Sequence, residues 1–215
     1  MKEVKVAAEY YVNSQHMLIG PGVRHELIVP EATTQPEIYP WSIILHSQSG
    51  PQKTRWENLR NYMLRRDIGL ECHFIVDMDG LIIQTMPLNR RADCNFRANR
   101  FQVPFWASPT GQLDVGAISF ETQDEGAASL PFTPWTLPQA NAIANACAAI
   151  GHKYGIPYTQ PATWNDRGIG HHSLFPEWSS FRGKTCPGRA RIHQMDWVRT
   201  TAASICACGG QNENV

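Results

Sequence analysis

The chain has 215 residues, 42% of them apolar and 18% charged: enough for one domain with a full core, and too ordinary for a disordered or fibrous chain. Lysines plus arginines equal aspartates plus glutamates at 19 each, so no broad positive field awaits phosphates or anionic lipid, and nucleic acid is not an expected partner. The opening "MKEVKVAAEYYVNSQHMLIG" has no apolar core before a small-residue cleavage site, and no run of about eighteen apolar residues occurs anywhere. A soluble chain without a signal peptide or a membrane partner is therefore expected.

Residues 1–40, interrupted by Pro21, Pro30, Pro36 and Pro40, read as an irregular N-terminal extension packed on a domain spanning 41–207, with 208–215 as a tail. In "WSIILHSQSG" the apolar run Ile43 to Leu45 ends on His46 and a Ser-Gln-Ser-Gly loop, which places His46 at the C-terminal end of a buried strand. Trp56, Leu59, Tyr62 and Met63 recur at helical spacing and predict an amphipathic helix from Thr54 to about Arg65. "CHFIVDMDGLIIQTMP" joins two apolar stretches through Asp79-Gly80, the strongest hairpin signal in the chain. Residues 89–113 show no period and read as a long loop, after which "DVGAISFETQ" predicts a buried strand from Val115 to Phe120 that ends on Glu121.

Thr136 and Gln139 form a capping-box pattern. Ala140, Ile143, Ala144, Cys147, Ile150 and Tyr154 then mark one face of a helix that stops at Gly155 and Pro157. A last helix is predicted from Asp196 to about Cys206, with Trp197, Val198, Ala202 and Ile205 facing inward. The six cysteines, at 72, 94, 147, 186, 206 and 208, lack the spacing of a disulfide framework and are read as reduced thiols.

The segment "GHHSLFPEWSSFRGKTCPG", residues 170–188, sets two adjacent histidines ahead of a cysteine. A catalytic zinc takes three protein ligands from histidine, cysteine and carboxylate, and the chain offers His46, one of His171 and His172, and Cys186. A lone histidine at a strand end is more often structural; the accumulation of matched contexts is what favours a site here.

"SIILHSQSG", "CHFIVDMDGLIIQTMPLNRRA", "AISFETQ", "TLPQANAIANACAAIGHKYGIP" and "GHHSLFPEWSSFRGKTCPG" occur in an order that resembles the zinc-dependent N-acetylmuramoyl-L-alanine amidases of the amidase-2 type, over about residues 41–200. The likeness looks closest to the amidase domains of phage endolysins. It implies a single α/β domain with a mixed central β-sheet flanked by α-helices. It also implies Zn2+ as cofactor, held by His46, His171 and Cys186, with Glu121 and Lys184 as catalytic residues. The family pattern, a histidine directly after glycine, selects His171 over His172, and adjacent residues of an extended segment cannot both face one site. His73 and Trp178 are further candidates for contact with substrate.

The implied reaction is hydrolysis of the amide between N-acetylmuramic acid and L-alanine in peptidoglycan by a monomer. As a phage endolysin it would wait in the host cytoplasm for holin-mediated release and then lyse the cell wall. Four other readings stay open: a cysteine peptidase using Cys186, an inactive peptidoglycan-binding module, a closed structural zinc site, and a cytoplasmic muropeptide-recycling amidase. In this family some short phage members carry a tyrosine where this chain has Cys72, so a role for that position is not carried over.

Overall fold

The computed structural model describes residues 9–28, 30–48, 55–65, 69–126, 132–180 and 185–209. The apolar run at Ile43 belongs to a nine-residue strand, β4 (Tyr39–Ser47), and "DVGAISFET" to a second strand of the same length, β8 (Asp114–Thr122). Both are buried on two faces, which explains why each reads as a near-continuous apolar run. They lie side by side and parallel at the centre of a seven-stranded mixed sheet.

On one flank of β4 runs β9 (Gly168–His171), also parallel. On the flank of β8 lie β5 (Phe74–Val76), β6 (Ile82–Gln84) and β3 (Val23–His25), with a short strand β7 (Phe101–Gln102) against the start of β8. The β5–β6 pair is the hairpin expected at Asp79-Gly80. Gly80 has φ +89, and the turn is closed by the Asp77 amide donating to the Leu81 carbonyl.

Side chains alternate across the sheet, and each face finds a different cover. Ile43, Leu45, Phe74, Val76, Ile118, Phe120 and Ile169 pack beneath two helices, α3 (Leu137–Tyr154) and α4 (Arg189–Gly209). On the opposite face, Ile75 and Ile83 meet Leu59 and Met63 of α2 (Trp56–Met63), while Ile44 and Ala117 meet Ala98 and Trp178. None of the helices among the described residues is long and apolar enough to cross a membrane.

Three elements differ from expectation. The described part of the N-terminal stretch, from residue 9 on, carries regular elements. It holds a small hairpin, β1 (Tyr11–Val12) with β2 (Leu18–Ile19), then β3 at the sheet edge and a single turn, α1 (Glu31–Thr34). An edge strand such as β3, with Arg24 and His25 exposed, carries no apolar alternation to announce it.

Residues 89–113 contain β7 and two short 3-10 turns, Phe96–Asn99 and Phe105–Ala107. The final helix begins at Arg189 rather than Asp196. Its first turns bury Arg191, whose guanidinium donates to the carbonyls of Thr122, Gln123 and Thr133, so a pattern counted on apolar residues misses them. Trp197 of that helix is 41% exposed and does not face inward, whereas Val198 and Ala202 do.

Thr136 caps α3 as its sequence implies. Its Oγ1 accepts from the Gln139 amide at 3.2 Å and also donates to the Met78 carbonyl in the hairpin turn. The Gln139 side chain departs from the capping box and donates to the carbonyls of Val76 and Gln123, tying α3 to the strand ends. Thr136→Ala removes the cap and the bond to the Met78 carbonyl together. We expect a loss of about 1–2 kcal/mol, read as a lower midpoint in thermal or urea unfolding.

Candidate metal centre

Laterally paired residues of neighbouring strands present their side chains to the same face of a sheet. In the β4–β8 ladder His46 lies opposite Glu121, so the two strand ends expected to meet do so, on the same side and in the same direction. In the β4–β9 ladder Leu45 lies opposite His171. Leu45 points beneath α3 and α4, and His171 follows it to that face, where Arg199 of α4 stands beside it. The next residue, His172, continues the ladder with its amide donating to the Leu45 carbonyl, and it falls on the face of His46.

The imidazoles of His46 and His172 lie 4.2 Å apart between centroids, and the ligand atoms of His46, His172 and Cys186 all lie within 4.8 Å of one another. The expectation that His171 joins His46 and Cys186 is thereby corrected by one residue. The glycine-histidine pattern names the first histidine of the pair, but the register of β9 on β4 turns the second one into the site. His171 holds the neighbouring loop instead. Its Nδ1 lies 3.2 Å from Ser173 Oγ and 3.3 Å from the Cys186 carbonyl, which also accepts from the Ser173 hydroxyl at 2.8 Å and the Ser173 amide at 3.2 Å.

His46, Cys186 and Glu121 are each pushed toward their neutral forms by their surroundings. Burial, with His172 beside it, pushes His46 well below the usual histidine range. The Cys186 thiol, which accepts a hydrogen bond from the Ser47 amide at 3.4 Å, is pushed up to about 12 by burial and by Glu121. The Glu121 carboxyl, with Oε1 3.6 Å from His46 Nδ1, is raised to about 8 by burial and by Asp124. Its Oε2 is buried without a hydrogen-bond partner among the described residues. A cation at the convergence of these atoms would reverse the upward shifts of Cys186 and Glu121 and keep the His46 imidazole neutral, and two imidazoles with one thiolate form a donor set suited to zinc with one position open.

His46 is steered from behind by Asn95, whose Oδ1 lies 2.8 Å from His46 Nε2, and its backbone carbonyl accepts from Thr122 Oγ1 at 2.5 Å. Asn95 lies in an aperiodic stretch of sequence where a polar residue gives no signal.

Two expected substrate contacts are not available. His73 is fully buried: its Nδ1 accepts from the Ser119 amide at 3.1 Å and its Nε2 donates to the Arg90 carbonyl at 2.9 Å. Trp178 is equally buried, with its indole donating to the Trp164 carbonyl, and it fills the space that Gly170 leaves open, where a Cβ would come within 2.5 Å of its ring. Lys184 lies outside the described residues. Cys72 is buried, its sulfur directed at the Phe74 carbonyl and Met63 Sδ.

The family profile of amidase-2, N-acetylmuramoyl-L-alanine amidase, matches residues 35–189, most of the chain. The chain belongs to that family. Among solved structures, PlyL superposes on this family member with a TM-score of 0.52 at 21% identity, covering 85% of this chain and 96% of PlyL. The N-acetylmuramoyl-L-alanine amidase LysC from Clostridium intestinale URNW gives 0.54 at 16% identity, covering 84% and 97%. The Staphylococcus aureus hydrolase AmiA in complex with its ligand gives 0.53 at 15% identity, covering 87% and 82%. At such identities the likeness concerns the fold, and it agrees with the mixed sheet and flanking helices described above. No curated protein matches the chain.

The register makes a direct prediction. His172→Ala should lose bound zinc, measured by metal analysis after dialysis, whereas His171→Ala should retain it with affinity lowered about 10- to 100-fold as the Cys186 loop loosens. Zinc loss in His171→Ala alone would show that β9 is out of register by one.

Burial of His73 gives a second expectation. The unfolded chain protonates this imidazole near 6.5 but the folded chain only near 4, so its contribution to stability is whole above pH 6.5 and falls as pH drops toward 4. The loss amounts to about 3 kcal/mol at the lower end. His73→Gln should flatten the dependence of urea stability on pH across that window.

Proposed function

We propose that the chain is a zinc-dependent N-acetylmuramoyl-L-alanine amidase, cleaving the amide between the lactyl group of N-acetylmuramic acid and L-alanine of the peptidoglycan stem peptide. The observation that carries this reading is the convergence of His46, His172 and Cys186 beside the Glu121 carboxyl, whose Oε2 has no hydrogen-bond partner among the described residues, at the ends of parallel strands. Zinc held by those three residues supplies Lewis-acid polarisation of the scissile carbonyl and a lowered pKa for the attacking water.

The remaining work falls to the chain. Glu121 accepts the proton of the attacking water and returns it to the leaving amine of L-alanine. Its carboxyl is raised to about 8 by burial and by Asp124, and a cation beside it would lower that value toward the working pH, where a carboxylate can both accept and release a proton. Burial of His46 keeps water from competing for the imidazole. Lys184 is assigned the oxyanion, because in an extended segment it would share a side with Cys186 two residues on.

The family match and the endolysins and amidases that share the fold support a role as an endolysin. We extend the proposal to a phage enzyme that acts as a monomer on the host wall after holin-mediated release from the cytoplasm. Digestion of purified peptidoglycan tests the bond assignment. New L-alanine N-termini without new sugar reducing ends are expected, and reducing ends alone would refute it. Glu121→Gln should lower turnover by about 10²- to 10⁴-fold while zinc stays bound. Full activity in that variant would remove Glu121 from the mechanism.

A further inference from the structure

We infer that Asn95 is a positioning residue that locks His46 as its Nε2–H tautomer, so that Nδ1 is the atom offered to the metal. The inference rests on the reading of His46, His172 and Cys186 as a zinc site.

The polarity of the contact follows from Asn95's other partner. Its Nδ2 donates to the Ala117 carbonyl at 3.4 Å, and because a carbonyl can only accept, the amide must turn its oxygen toward His46. At 2.8 Å from Oδ1, His46 Nε2 is then the donor, and the lone pair is left on Nδ1, the nitrogen that lies 3.6 Å from Glu121 Oε1 on the cluster side. Both residues are buried, so no water can take Asn95's place at the back of the ring.

The local backbone is shaped to hold Asn95 there. Its backbone amide donates to Asn99 Oδ1 at 2.5 Å, and its carbonyl accepts from the Ala98 amide, closing the 3-10 turn on itself. The following residue, Phe96, takes φ +50, a left-handed conformation that a bulky side chain rarely adopts, although its ring is 49% exposed and its burial does not account for the strain. The turn can lie against β8 only because residue 116 is glycine: a Cβ there would stand 2.4 Å from the Asn99 carbonyl oxygen. Gly116, the strained Phe96 and the Asn99 side chain together deliver one amide to one imidazole nitrogen.

The test compares wild type, Asn95→Leu and Asn95→Asp. Long-range proton–nitrogen NMR of the metal-free protein reads the His46 tautomer, and competition with a chromophoric chelator reads affinity for zinc ions. Wild type should show a single Nε2–H tautomer. Asn95→Leu should show a mixture of tautomers and bind zinc about 10- to 100-fold more weakly. Asn95→Asp, close enough in shape to fold if the leucine variant does not, should keep the Nε2–H signal and an affinity within a few-fold of wild type.

A leucine variant with an unchanged tautomer and unchanged zinc affinity, altered only in metal-free melting temperature, would reduce Asn95 to a structural role and overturn the proposal. So would an aspartate variant that loses the Nε2–H signal. Failure of the wild type to take up zinc would defeat the metal-centre reading itself. That failure is distinguishable, because the metal-free tautomer is read without zinc.

Discussion

The lateral register of β4 between β8 and β9 is the constraint on which the site depends. With a side-chain period of two, slipping either neighbour by one residue would exchange the faces of every residue it carries. In the observed register His46 stands beside Glu121, and Leu45 beside His171. That single alignment sends one histidine of the 171–172 pair to the cluster and its twin toward α4. The division of labour is chemical as well as geometric: the outward histidine joins the cluster, and the inward one fastens the carbonyl of the cysteine that completes it.

The two faces of the sheet are finished by different means. Beneath α3 and α4 the packing is almost wholly aliphatic and aromatic, which suits long strands buried on both sides. On the other face the packing gives way, at the C-terminal ends of β4 and β8, to buried polar groups, with His73 and Ser119 satisfying each other and Asn95 satisfying His46. Among these groups Glu121 Oε2 is an exception, a buried oxygen with no hydrogen-bond partner among the described residues, and burial pushes the His46 imidazole, the Cys186 thiol and the Glu121 carboxyl toward their neutral forms. A site so desolvated is unfavourable without a cation, the physical basis for reading it as a metal centre.

Elements whose formation is governed by local chemistry were legible in the residues. Asp79-Gly80 makes its hairpin because glycine alone takes the required φ without strain, and α3 starts at Thr136 and stops at Gly155 because cap and left-handed terminus are written in those residues. The placement of His46 and Glu121 at the ends of buried strands was equally readable from where each apolar run stops. The start of α4 was not, because Arg191 is buried by hydrogen bonds to carbonyls of a distant strand end rather than by apolar contact. Nor was β3, which exists only because β6 offers it an edge.

The sequence by itself determined the set of chemical groups available, His46, Glu121, two adjacent histidines and Cys186, together with the strands and helices that carry them and the family to which their order points. Tertiary structure decided which histidine stands beside His46 and Cys186, that Asn95 stands behind His46, and that His73 and Trp178 are buried. These outcomes depend on contacts between segments far apart in the chain. A residue's own neighbours in sequence set its local conformation, but which face it shares, and with whom, is set by the register of strands that meet only in the folded sheet.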